Sequence, residues 1–450
     1  MLALYVLAPK RLKNGVLLLF SLLFYGWGEP RYLALMLASI TVGYVFGLLI
    51  GRNRGGLAAK LYLGVSVGLS LLALAVFKYA DFFITSWNAA TGLSLPLLRL
   101  ALPVGISFYT FQIISYLIDV YRGVPAQRSF IDLAAYVAMF PQLIAGPIVR
   151  YTDVAAQLRS RTVTMQNAAY GVRRFVFGLA KKILLANLLG AIASGYRESS
   201  EQTVLYAWLY AVAFMLQIYY DFSGYSDMAI GLGALLGFHF PENFNYPYIA
   251  ASITEFWRRW HISLGSWFRD YLYIPLGGNR CGRARQLVNI LLVWLATGLW
   301  HGAAWNFVLW GLLFAVLLTA EKLWLLPRLK KYRALGHIYV LLFVLVGFVL
   351  FDAASIADAA QTLRAMLGMG QLALSGAETS YVLRSNAVLL LAAAVGATPL
   401  VKNGCAALAR TRAGAAVLAV AEPLCIAALL AVCTAFLVDG SFNPFLYFRF

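Results

Sequence analysis

Charge is scarce in this chain. Of its 450 residues 12% are Asp, Glu, Lys or Arg and 62% are hydrophobic, whereas soluble domains carry ~25% charged residues. A water-soluble fold of this length has no core large enough for so much apolar surface, which excludes a soluble enzyme. Acids are the scarcest charged class, 18 against 36 Lys and Arg, giving a net charge of +18. The basic excess does not describe a nucleic-acid binder, because it lies in short clusters between apolar runs. These are Arg52, Arg54 and Lys60; Arg280, Arg283 and Arg285; Lys322, Arg328, Lys330, Lys331 and Arg333; and Lys402, Arg410 and Arg412. Cytoplasmic loops under the positive-inside rule have this distribution, with anionic lipid as a further contact. Cysteine is nearly absent. The four present (Cys281, Cys405, Cys425, Cys433) show no CxxC spacing, so a disulfide scaffold and a redox pair are excluded. There is no GxSxG, no P-loop and no HExxH, and a serine hydrolase, an ATP-driven pump and a zincin lack their signatures. No His/Cys cluster has ligand spacing, and no metal is expected.

What the chain has instead is apolar length. A span needs ~20 apolar residues, and candidates run over 15–27, 32–50, 61–79, 97–120, 130–148, 175–195, 203–222, 226–240, 286–300, 303–320, 336–352, 386–401 and 414–438. Several are short or interrupted, so about ten or eleven true spans with re-entrant and interfacial helices are expected. The reading is an all-α polytopic membrane protein, one integral-membrane domain over 1–450. No repeat or soluble domain interrupts it. Lys10, Arg11 and Lys13 precede an apolar run with no small-residue cleavage site, which reads as an uncleaved anchor. Placing that cluster inside returns Arg52–Lys60 to the inside, and then Arg122 and Arg128.

Residues 241–285 break the membrane pattern. After an aromatic, turn-rich entry (Asn243 to Tyr248), Ser252 is a candidate N-cap with Glu255 three residues on. A helix running from there to Asp270 would place Trp257, His261, Leu264 and Phe268 on one face. It would pair Glu255 with Arg259 at i,i+4. Trp257, Arg258, Arg259 and Trp260 make this segment amphipathic, suited to an interface or a cavity wall.

Four histidines are present. His301 lies within an apolar segment between Gly298 and Gly302, with Trp300, Trp305 and Asn306 around it. An ionisable group there is costly and marks a functional candidate. A neutral imidazole suits a general base for a hydroxyl, and a packing hydrogen bond is the other reading. His261 could orient substrate or polarise a carbonyl, or simply stack among tryptophans. His239 and His337 read as structural. Asp221, Ser223, Tyr225 and Asp227 put acids and hydroxyls into a hydrophobic region. They either line a polar tunnel or satisfy one another.

At these residues the sequence stops being anonymous. Gln217–Gly231 (QIYYDFSGYSDMAIG), Asn243–Tyr248 (NFNYPY), Ser252–Tyr273 (SITEFWRRWHISLGSWFRDYLY), Ile274–Arg280 (IPLGGNR) and Gly298–Asn306 (GLWHGAAWN) resemble the membrane-bound O-acyltransferase superfamily, in its bacterial alginate O-acetylation branch. Further matches are Leu23–Pro30, Pro103–Asp119, Phe140–Arg150, Gly178–Asn187 and the tail Asn443–Phe450. The resemblance implies a ring of helices around a central tunnel, a catalytic core near 215–310, His301 as catalytic base and His261 as its companion. It implies acetyl transfer from cytoplasmic acetyl-CoA, with no permanently bound cofactor, toward an extracytoplasmic polysaccharide at the bacterial inner membrane. A separate SGNH-type O-acetyltransferase is the implied partner. Arg280, Arg283 and Arg285 could hold the donor's phosphates. A carrier-protein thioester donor, as in D-alanylation, is the alternative within the family. A transporter using His301, Asp221 and Asp227 is the alternative outside it. Family members usually begin with a longer apolar segment than the nine residues before Lys10, so a curtailed first helix or an upstream start is expected.

Overall fold

The computed structural model describes residues 1–144, 146–440 and 445. Apart from Phe445, the tail motif Asn443–Phe450 lies outside the described residues. The described secondary structure is helical, with one isolated bridge between Phe244 and Trp260. Among the described residues six helices are long and apolar enough to cross a membrane, or seven if the bent pair Ala377–Ser385 and Ala387–Gly396 forms one span. With its apolar composition, this makes the chain an all-helical polytopic membrane protein.

The chain divides into two compact units. Unit 1 comprises 1–172, 229–242 and 266–272. In it the helices α1 (Leu33–Arg52), α2 (Leu57–Leu74) and α3 (Ile106–Tyr121) pack together. α3 is buried on nearly every side and carries Ser107, Thr110, Gln112, Ser115 and Asp119 inward. The guanidinium of Arg161 donates to the Tyr5 hydroxyl, the Leu236 carbonyl and Asn14, which fixes the first helical turns of the chain. The expected 130–148 span is two short helices, Phe130–Ala138 and Phe140–Leu143. Pro141 supplies no backbone N–H, and Met139 between them leaves the helical conformation at φ −54°, ψ 109°.

Unit 2 comprises 173–228, 243–265 and 273–450. Its core gathers Tyr210, Phe214, Tyr220, Phe256, Trp260, Trp310 and Phe348. α4 (Met165–Ala180) precedes α5 (Val204–Leu235), a single helix of 32 residues. Two spans had been expected over 203–240. No proline interrupts that stretch, and its two acids are paired with cations from the side, so the helix continues through its glycines and serines. Gly224 sits where a Cβ would run into the backbone at Gly178, so both glycines permit close approach.

The helix expected from Ser252 to Asp270 is broken. α6 (Ile253–Arg259) and α7 (Ile262–Phe268) are separate. Trp260 is extended and bridges Phe244, and His261 takes a left-handed backbone with φ +45°. The start of the element follows the expectation. Ser252 accepts from the Glu255 N–H, Glu255 reaches back to the Ala251 N–H, and Arg259 pairs with Glu255 at 2.9 Å. The Glu321 carboxylate also accepts from the Ile253 and Thr254 N–H groups at the start of α6. Negative charge is favourable at that helix end. α8 (Arg283–His301), α9 (Trp305–Ala320) and α10 (Arg333–Asp352) complete the frame of the site.

Candidate active site

The two histidines singled out by sequence come together around one tryptophan. His301 is the last residue of α8 and is buried. Its ring lies 5.0 Å from Trp300, 5.2 Å from Trp310 and 5.1 Å from Phe351, each edge-on. His261 is 2% exposed, with Phe222 at 4.7 Å and Trp300 at 5.9 Å. Trp300 therefore touches both imidazoles. Trp257 extends the aromatic wall, 5.5 Å from Trp310 and 4.7 Å from Trp294. The close approach of α8 and α9 makes this possible. A Cβ on Gly298 would run into the Phe307 carbonyl, and one on Gly311 into the Trp294 carbonyl.

Asn243 determines which nitrogen of His261 carries the proton. Its Oδ1 accepts from the Ser263 N–H at 3.2 Å and from the Ser263 hydroxyl at 2.9 Å. Its Nδ2 donates to the Ser226 hydroxyl at 3.1 Å. A backbone N–H can only donate, so the amide orientation is fixed. The same Oδ1 faces His261 Nδ1 at 3.2 Å, and that contact is a hydrogen bond only when Nδ1 bears the proton. The other nitrogen, Nε2, then presents its lone pair. It is buried and has no hydrogen-bond partner among the described residues. Burial pushes the imidazole down to about 3, so the ring stays neutral. A neutral ring of this tautomer offers Nε2 as a hydrogen-bond acceptor. That nitrogen does not donate to a carbonyl.

Other sequence candidates lie elsewhere or are engaged. Asp221 forms a buried ion pair with Lys182, and Asp227 pairs with Arg174 and Lys181, both at 2.7 Å. The two acids are matched by cations from 174–182. Two carboxylates in an apolar stretch demand such cations, and the segment Gly178–Lys182 (GLAKK) supplies two of them. Ser223 Oγ is buried with no hydrogen-bond partner among the described residues, and Tyr225 stands edge-on to Phe445 at 4.8 Å. Trp260 packs on Phe244 and Phe348. Arg258 is exposed, and Arg259 serves Glu255 and the Asn245 carbonyl. Asn306 donates to the Leu350 and Ala353 carbonyls, tying α9 to the end of α10. Trp305, expected to wall the site, opens α9 at 56% exposure. Arg280, Arg283 and Arg285 are exposed around the start of α8, with Arg285 donating to the Leu276 carbonyl. His239 is exposed, and His337 Nδ1 lies 3.0 Å from the Ala250 carbonyl oxygen. Among the described residues no group of three His, Cys, Asp or Glu side chains gathers as metal ligands.

In unit 1 the segment following His261 is held by its own network. Trp267 stacks on Phe111 at 3.8 Å and donates to the Phe111 carbonyl. Asp270 accepts from Arg150 at 2.7 Å, while Arg122 donates to its carbonyl. Burial alone would raise the Asp270 carboxyl, but hydrogen bonds from Arg269 and Arg150 outweigh it and hold the group below the ordinary carboxylate range.

The likeness to known proteins gives the family. Residues 125–357 match the model of the membrane-bound O-acyltransferase family. The probable alginate O-acetylase of Azotobacter vinelandii is 45% identical over 384 residues, 83% of this chain and 76% of that protein. The peptidoglycan O-acetyltransferase of Helicobacter pylori is 34% identical over 422 residues, 86% of this chain and 80% of that one. The teichoic acid D-alanyltransferase of Bacillus subtilis is 27% identical over 269 residues, 55% of this chain and 68% of that one. The buried histidine pair lies inside the matched region, and the chain is an acyltransferase belonging to the membrane-bound O-acyltransferase family.

Proposed function

We propose that this chain passes acetyl groups from cytoplasmic acetyl-CoA across the bacterial inner membrane for O-acetylation of an extracytoplasmic polysaccharide. The observation that carries the reading is that His261 and His301 are both buried and both in ring contact with Trp300. A thioester is already activated, so the reaction asks for a base and a water-poor setting rather than a covalent nucleophile of the enzyme's own. His301 is the base that takes the acceptor's proton. The lone pair on His261 Nε2 accepts a hydrogen bond from a hydroxyl and so orients it. The aromatic wall keeps out water that would hydrolyse the donor.

In this reading about ten or eleven helices form a ring around a tunnel, with the catalytic core near 215–310 in one integral-membrane domain. An SGNH-type O-acetyltransferase outside the membrane receives the acetyl group and modifies the polymer. The names of the relatives support a polysaccharide acceptor, alginate or a cell-wall polymer. A second reading, a carrier-protein thioester as donor, is favoured by the likeness to teichoic acid D-alanyltransferases.

The test is transfer of radiolabelled acetyl from acetyl-CoA by the purified chain in proteoliposomes with its partner and a sugar acceptor. His301→Ala is expected to lose roughly 10²–10⁴-fold in rate while remaining folded. Wild-type transfer by His301→Ala would remove the assigned base. An inert wild type that becomes active with an acyl-carrier thioester would move the donor to the second reading.

A further inference from the structure

Where α1 ends, two segments of unit 1 border an open cavity of about 670 Å³. Three guanidiniums line it: Arg52 from the last turn of α1, Arg54 just beyond, and Arg128 from the segment after α3. Its apolar wall is Leu48 and Pro125, with Tyr44 alongside. The frame is fixed. Tyr44 donates to the Arg128 carbonyl at 2.8 Å and stands edge-on to Phe130, while Arg54 donates to the Val124 carbonyl.

Among the described residues none of the three arginines has an acidic partner. The sequence from 30 to 80 contains no Asp or Glu. The acids flanking the other segment are engaged, Asp119 by the Tyr271 hydroxyl and Asp132 by the Asn14 amide. Three like charges around one cavity repel one another, and the neutralising anion has to come from outside. Guanidinium forks match phosphate oxygens in pairs, and a cavity of this size takes more than a small carboxylate.

The position selects the source. Pro30–Arg52 is a candidate span, and the arginines stand at its end, where hydrocarbon gives way to water. Leu48 lies one turn further in, and Val45 is 44% exposed on the same helix. Cation at the rim and apolar surface below it is the order in which a phospholipid presents its phosphate and its chains. We propose that the cavity formed by Arg52, Arg54 and Arg128 binds the phosphate of an anionic membrane lipid. A soluble phosphate-bearing thioester shares the chemistry, and the experiment separates the two.

The full chain is reconstituted in nanodiscs of equal phosphatidylglycerol and phosphatidylcholine, and the lipid retained after mild extraction is quantified by native mass spectrometry. Wild type is expected to retain phosphatidylglycerol in excess. Because a basic residue near the surface contributes about a fivefold preference, the triple variant R52Q/R54Q/R128Q should lose at least that factor. The equally neutralised R280Q/R283Q/R285Q should keep its excess. Circular dichroism establishes that both variants fold, as the substituted side chains are exposed. Equal retention by wild type and R52Q/R54Q/R128Q, or equal loss in both variants, overturns the site. Displacement of the lipid by free coenzyme A, with coenzyme A binding lost only in R52Q/R54Q/R128Q, overturns the lipid and gives the cavity to a soluble phosphate. Acetyl transfer is not the readout, so failure here leaves the proposed function standing.

Discussion

Replacing Asp221 by Asn tests whether the acids of α5 are structural partners or the lining of a polar path. The Asp221 and Lys182 side chains are 3% and 6% exposed. Removing one partner of a buried pair costs about 3–5 kcal/mol, because the other charge stays desolvated. Replacing both by uncharged groups of similar volume is often neutral. One kcal/mol moves the melting point by about 2–4 °C in domains of 150–250 residues. For this chain, about twice as long, one kcal/mol is worth about 1–2 °C, so the expected drop for Asp221→Asn is about 3–10 °C. Lys182→Met should fall similarly, and the double variant should recover most of the loss. Melting in detergent can be followed with a thiol-reactive dye, because Cys433 is buried and becomes reactive on unfolding, whereas Cys405 and Cys425 are already exposed and set the baseline. Single variants that melt with wild type, or a double variant as unstable as the two losses summed, would refute the ion-pair account. Asp221 would then belong to a hydrated path.

Asn243→Leu removes the acceptor of His261 Nδ1 and of two Ser263 donors. It should cost about 2–4 kcal/mol in stability and shift His261 toward the other tautomer, which ¹⁵N chemical shifts of labelled histidine report directly. An unchanged pattern of protonated nitrogen would sink the assignment. Gly298→Val forces α8 off the Phe307 carbonyl and should destabilise by about 1–3 kcal/mol or more, seen as a lower melting point. An unaltered melt would mean the helices slide freely. The Asp270 carboxyl is held low, so its stabilisation is complete above the unfolded value of about 4 and fades as pH falls through the folded one. Asp270→Asn should flatten the acid limb of the stability curve below about pH 4. Parallel acid limbs would remove this group from the account.

Local signals in the sequence carried over into the structure. Ser252 caps α6, and the Glu255–Arg259 pair forms as its i,i+4 spacing requires. The spans at 32–50, 61–79, 336–352 and 414–438 fall within helices that satisfy length and hydropathy. What periodicity missed depends on residues distant in sequence. The break at His261 is held by Asn243, 18 residues earlier, and by the bridge to Phe244. A helical wheel drawn from Ser252 contains neither partner. Asp221 and Asp227 read as candidate tunnel groups because their cations lie 39 to 53 residues away. The long helix α5 joins two candidate spans, 203–222 and 226–240, with the acids Asp221 and Asp227 at their junction. That junction is neutralised from the side. The likeness of the WHG and RRWH motifs singled out the two histidines, but not Trp310 and Phe351, which wall His301 through folding alone.

The indole cluster makes the site its own optical probe. Trp257, Trp294 and Trp310 lie with ring centroids 4.7 to 5.9 Å apart, and Trp310 is in turn beside His301. Chromophores held that close in a rigid, asymmetric arrangement couple their excited states and give a strong near-ultraviolet circular dichroism band. A donor or acceptor entering among them would tilt a ring or screen the coupling. Occupancy could then be read from unlabelled protein, in real time, at concentrations set by the ligand rather than by a dye.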